Sequence, residues 1–249
     1  MIIEYTFYIG PTILQNSLTV LENSKIGLRA LSLDLNSKAQ KFQDNELLAI
    51  SDSISRFLNL NSLHFKMHEF FEITDYGLEG FYKTIGKLTN LTSLSLDLKK
   101  KPNITDHSTE IFKTCLSRLS KLQMLSLSFF QCDLTEKSCK YLSESVESLK
   151  KLETLSLAIV EMKINDEGMF YIKRLLERLE TLRELTLNLS LHYKEEGLKS
   201  LAEGLGTLKL LSKLRIKTDS CEFLSTGETI DILKQGITIL PRLKELRWE

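Results

Sequence analysis

Proline is scarce, with three residues in 249, and the eleven glycines are few. The chain therefore has no Pro- or Gly-rich linker and too few turn residues for a loop-rich sandwich. No sign of charge dominates. Lys plus Arg number 33 and Asp plus Glu number 33, a formal charge of zero, so no global basic field argues for a nucleic-acid partner. No run approaches the ~18 uninterrupted apolar residues of a membrane helix, so membrane insertion is not expected. The opening MIIEYTFYIGP lacks the basic start, long apolar core and small-residue cleavage site of a secretory signal. The N-x-S/T matches at Asn90, Asn103 and Asn188 are accordingly read as coincidence. Cys115, Cys132, Cys139 and Cys221 show no C-x-x-C spacing, which suits reduced thiols in a cytosol-like compartment. Cytoplasmic residence is the default expectation, with a cytoskeletal or organellar assembly as the alternative. At 42% hydrophobic and 27% charged, the chain belongs with globular proteins and can bury a sizeable core.

What is abundant is leucine, in register. The pattern L-x-x-L-x-L, with other apolar residues at some third positions, begins at Leu28, Leu60, Leu91, Leu122, Leu152, Leu182, Leu211 and Leu243, at spacings of 29 to 32 residues. Each segment alternates with period two, so Leu94, Leu96 and Leu98 face one way while Ser95, Asp97 and Lys99 face the other. Between segments the period becomes helical. Leu78, Phe81, Ile85 and Leu88 form one stripe; Leu198, Leu201, Leu205 and Leu208 form another, and Ile230, Leu233, Ile237 and Leu240 a third. Thr74-Asp75, Thr105-Asp106, Thr135-Glu136 and Asn165-Asp166 mark helix starts, where short polar side chains accept from free backbone N–H groups. Ile3, Tyr5 and Phe7 alternate like a strand ahead of a stripe of Leu14, Leu18 and Leu21, an incomplete first repeat over residues 1–27.

One strand and one helix cannot close a core alone, so neighbouring units must stack. A helix is ~10 Å across against a strand spacing of ~4.8 Å, which curves the stack with strands inside. The predicted fold is an α/β solenoid of about eight to nine repeats, a single domain over 1–249, with a concave parallel sheet and convex helices. These segments resemble the ribonuclease-inhibitor-like class of leucine-rich repeats over roughly residues 20–249. That resemblance implies the same fold and a protein-binding role. One departure is clear. The common repeat carries Asn at the ninth position, and only Asn36 does so here; its counterparts are His68, Lys99, Phe130, Val160, Ser190 and Asp219. Strands about one residue pair longer, and no asparagine ladder, are expected.

Catalytic constellations find no support. Gly86-Lys87 and the pair Gly204 and Gly206 lack the Walker spacing, and Gly77, Gly168 and Gly197 are assigned to backbone geometry at helix starts. His64 and His68 lie on or just past a strand, where four residues span ~13 Å, too far to share one ion. Ser95, Ser126 and Ser156 form a column of equals rather than one nucleophile beside a base. Asp34, Lys66 and Asp97 alternate in sign across neighbours, which reads as charge compensation rather than a hydrolytic pair. No enzyme activity, cofactor or metal is expected.

Three columns are predicted to line the concave face. Ser32, His64, Ser95, Ser126, Ser156, Thr186, Arg215 and Arg247 make the first; Asp34, Lys66, Asp97, Ser128, Ala158, Asn188, Lys217 and Glu249 the second; the ninth-position set the third. Phe130, Ala158 and Val160 give an apolar centre among Ser128 and Asn188, with Arg215, Lys217 and Arg247 making one end basic. That is the anatomy of a protein-binding patch. Trp248 joins the candidates at the last strand, where the solenoid end either frays or is covered by a neighbouring protein. Lys99, Lys100 and Lys101 read as a solvated loop. The expected function is a non-catalytic interaction scaffold, a subunit of a larger complex. The alternatives are a GTPase activator or a ubiquitin-ligase substrate receptor built on the same repeat.

Overall fold

A computed structural model describes residues 2–7, 16, 20, 27–35, 42–67, 72–99, 103–160, 164–189, 195–217 and 227–248. The strands are β1 Ile2–Phe7, β2 Ala30–Leu35, β3 Ser62–Met67, β4 Ser93–Lys99, β5 Met124–Phe130, β6 Thr154–Val160, β7 Glu184–Leu189, β8 Lys213–Lys217 and β9 Glu245–Trp248. The described helices are α1 Asp44–Ile54, α2 Asp75–Ile85, α3 Asp106–Leu116, α4 Glu136–Ser145, α5 Asp166–Glu177, α6 Glu195–Gly206 and α7 Gly227–Ile237. All nine strands join one parallel sheet in chain order. The fold is a leucine-rich-repeat solenoid with the sheet inside and the helices outside. Ile3, Tyr5 and Phe7 lie on β1, while Leu14, Leu18 and Leu21 fall outside the described residues.

Register is fixed by one-residue-for-one-residue pairing from β1 to β9. Leu31, Leu63, Leu94, Leu125, Leu155, Leu185 and Leu214 therefore form one continuous row, each no more than 2% exposed. A one-residue slip in any strand would turn its leucines to solvent, which is why the register is unambiguous. The helical stripes of α2 and α6 close over this row, and Leu233, Ile237 and Leu240 do the same from α7. Each buried side chain of this kind contributes about 1.5–3 kcal/mol relative to exposure. Strands β4, β5 and β6 run to the ninth position, longer than the rest by one residue or more.

Turns repeat as strictly as strands. The backbone N–H groups of the two residues opening each strand share one carbonyl of the preceding repeat: Thr92 and Ser93 donate to Asn61, and Gln123 and Met124 to Thr92.

At the other end of the strands, in the three loops that lead into α2, α3 and α4, the chain is held by a ladder of threonine and aspartate. Thr74 caps α2, its Oγ1 accepting from the Tyr76 N–H, while its own N–H and hydroxyl donate to Asp44 of α1 at 2.9 and 2.6 Å. Thr105 repeats the arrangement onto Asp75, and Thr135 onto Asp106. Each Thr-Asp dipeptide thus caps its own helix and receives the cap of the next. This ladder supplies the lateral tie between successive loops that the absent asparagines would give. The third position of α2 to α6 is buried and small throughout, as Gly77, Ser108, Ser138, Gly168 and Gly197. At Gly77 the reason is proximity rather than backbone freedom, since no described glycine has positive φ and a Cβ there would stand 2.3 Å from Asp44 Oδ1.

Asp106 is the most heavily bonded member. Burial alone would raise its carboxyl, but hydrogen bonds from the side chains and backbone of Ser138 and Thr135 outweigh this and hold it below the usual carboxylate range. Its stabilising contribution is therefore full above the unfolded pKa of about 4 and disappears as pH falls through the lower folded value. Asp106→Ala should cost about 2 kcal/mol at neutral pH by stranding those donors. Urea titrations should show that difference shrinking as pH falls below about 4; a difference independent of pH would remove the carboxylate from the account.

Candidate functional site

Strand parity and the outward curve of the helices leave the inner face as the broad surface free of covering elements among the described residues. Pairing places Ser32, His64, Ser95, Ser126, Ser156, Thr186, Arg215 and Arg247 in one column. Asp34, Lys66, Asp97, Ser128, Ala158, Asn188 and Lys217 form the next. Both are as predicted. Glu249, Asn36, His68, Ser190 and Asp219 fall outside the described residues, as do Lys100 and Lys101.

The centre of the face is β5. Ser126, Ser128 and Phe130 are half-buried along its inner side, and Met124 opens it at 47% exposure. Met124 to Phe130 spans about 20 Å, with two small hydroxyl residues between apolar ends. Beside it on β6 lie Thr154, Ser156 and Ala158, also half-buried. Methionine adapts its shape to different partners, and serines let a partner backbone come close. Met124 belongs to a column the sequence reading omitted, which also holds Ser93, Thr154 and Glu184. The signal was available, because the same alternation extends two residues upstream of the first column.

Two predicted residues are not on this surface. Val160 is 5% exposed, because the alternation ends at the last residue of β6, where Ile159 and Val160 are buried together and Phe130 stands in register beside Val160. Trp248 pairs with Ile216, on the core side of the sheet, and packs half-buried against the core. The basic character of the last repeats is also reduced. Arg247 and Arg215 both approach Glu245, at 2.7 and 3.6 Å, and Lys213 pairs with Glu184 at 2.6 Å. At the opposite end Lys66 donates to Asp34 at 3.1 Å, the compensation expected of that column. Exposed pairs of this sort hold side chains in place more than they stabilise.

The rim at Phe130 is shaped by one backbone exception. Gln131 has φ 54°, the left-handed region, which costs a non-glycine residue about 1 kcal/mol. Its N–H donates to the Val160 carbonyl at 3.2 Å, and the turn that follows buries Cys132, whose thiol donates to the Leu98 carbonyl at 3.3 Å. The left-handed turn thus ends β5 directly after Phe130.

Cys115, Cys132 and Cys139 are buried thiols; burial pushes the Cys139 thiol up to about 12 and raises that of Cys115. His64 is half-buried between Ser32 and Ser95, and among the described residues no group of three His, Cys, Asp or Glu could hold a metal ion. No described helix is long and apolar enough to cross a membrane.

No protein-family model matches the chain, and no curated protein matches it. Among solved structures it is similar to the actin-binding site 2 of leiomodin-1, at 17% identity and a TM-score of 0.45, over 66% of this chain and 89% of that one.

Proposed function

We propose that this chain is a non-catalytic protein-interaction scaffold of the ribonuclease-inhibitor-like class, working as a subunit of a cytoplasmic assembly. Its partner sits on the inner face across β5. The observation that carries this reading is the exposed Met124 and half-buried Phe130 at the two ends of a strand otherwise lined by serines. An apolar pair flanked by ion-paired rims provides desolvation at the centre and orientation at the edge. One full helix per repeat supports the class, because it gives the wide outer layer that opens the inner face.

The test is capture of partners from native extract by the whole chain, with mass spectrometry, then with Ser128→Arg and Phe130→Asp. Both positions are half-buried on the inner face, so their melting curves should stay near that of the parent. Partner affinity should fall by about a hundredfold, the effect of losing one central anchor. Partners retained in full by both variants would move the interaction off this face. The GTPase-activator alternative predicts accelerated GTP hydrolysis in a small-GTPase panel; the scaffold reading expects none.

A further inference from the structure

Among the described residues, a formal charge of zero conceals a separation of charge across the solenoid. In the helix-to-strand segments 55–61, 86–92, 117–123, 146–153, 178–183, 207–212 and 238–244 there are eleven Lys or Arg and three Glu. In the segments entering the helices, 42–46, 72–76, 103–107, 131–137, 164–167 and 195–196, there are eleven Asp or Glu and one Lys. Because all strands are parallel, the first set shares one edge of the stack and the second the opposite edge. Helix dipoles favour this polarity, but only within the last turn. Lys150, Lys151, Arg242 and Lys244 lie beyond it. With Lys87 and Arg118 they are exposed and make no ion pair among the described residues.

The same basic edge carries two exposed aliphatic side chains, Leu58 at 56% and Ile239 at 57%, in its second-repeat and final turns. Its one aromatic among the described residues, Phe57, is 7% exposed, so the edge offers no aromatic platform for a base. We propose that this edge docks peripherally on an anionic lipid surface. The cations face the headgroups, Leu58 and Ile239 enter the headgroup–acyl boundary, and the acidic edge points to solvent. An array of this size against an anionic leaflet is ample for reversible binding, because each cation near the surface strengthens it about fivefold. The inner face stands perpendicular to the lipid in this orientation and remains open, so docking is independent of the scaffold role.

The experiment is sedimentation of the whole chain with phosphatidylcholine vesicles, with and without phosphatidylserine. Retention is expected only with phosphatidylserine, and it should weaken as salt rises. Replacing Lys87, Lys121, Lys150 and Lys151 with Gln should reduce partition by about 600-fold, with an unchanged melting curve because all four are exposed. Lys83→Gln with Lys199→Gln, on the outer helices, should leave it unchanged. No phosphatidylserine-dependent retention, or equal retention by the fourfold variant, overturns the proposal. So does binding of a duplex DNA fragment without vesicle binding, which assigns the edge to nucleic acid. Salt-sensitive self-association lost on Glu195→Gln with Glu196→Gln, again without vesicle binding, assigns it to a second copy. None of these results bears on partner capture at β5.

Discussion

Gly236→Val should detach the last repeat from the solenoid. A Cβ at residue 236 of α7 would stand 1.9 Å from the Ala202 carbonyl oxygen of α6 and 2.7 Å from its carbon. Both obstacles are backbone, so no side-chain rotation relieves them and α7 must move outward as a body. Overpacking against a rigid neighbour costs about 3 kcal/mol, the upper end of such substitutions. Contacts in a solenoid run only between neighbours, so the loss stays local at first. Trp248, the one tryptophan of the chain, packs against the core from the adjacent β9 and reports on that repeat directly. Its emission should shift to the red while the circular dichroism of the remaining repeats persists to higher temperature. Gly236→Ala already carries the offending Cβ and should show the same effect, more weakly. Gly27→Ala, where nothing lies within 4 Å of the added atom, should be neutral. An unshifted tryptophan spectrum in both 236 variants would mean that α6 and α7 are not in close contact.

The inner-face columns were legible because a period of two combined with a nearly constant repeat length turns register into counting. Parity alone also placed Trp248 on the core side, in step with Ile216; its place at the solenoid end, rather than its parity, put it among the candidates. Val160 has the outward parity and fails for another reason. At a strand end the alternation is no longer enforced by two neighbours, and apolar side chains fold onto one another. The helix caps were legible in Thr74, Thr105 and Thr135, but their second role was not. A hydroxyl that serves its own helix gives no sign of the carboxylate about thirty residues upstream that it also serves. Net charge misled most, because summing over the chain averages two opposite edges to zero. Segment-by-segment counting exposes them once the parallel topology assigns each segment an edge.

Phe81→Ala should produce the largest loss from the interior. Phe81 is fully buried on α2, with its ring 4.4 Å from that of Phe65 on β3 and 6.3 Å from Tyr82, which in turn lies 4.6 Å from Phe112 on α3. The four rings tie one strand to two successive helices. Truncation removes both the transferred area and the tilted ring contact, about 4 kcal/mol together. Phe81→Leu, which keeps most of the volume, should cost about 1.5 kcal/mol. The defect lies in an early repeat, so nearest-neighbour coupling predicts more than a lower midpoint. Repeats on its N-terminal side lose their support from the rest, and hydrogen exchange in β2 and β3 should accelerate well before that in β6 and β7. A single transition with uniform exchange would show instead that the whole sheet unfolds as one cooperative unit. A loss below about 1 kcal/mol would mean that the aromatic chain is filler rather than the tie between these repeats.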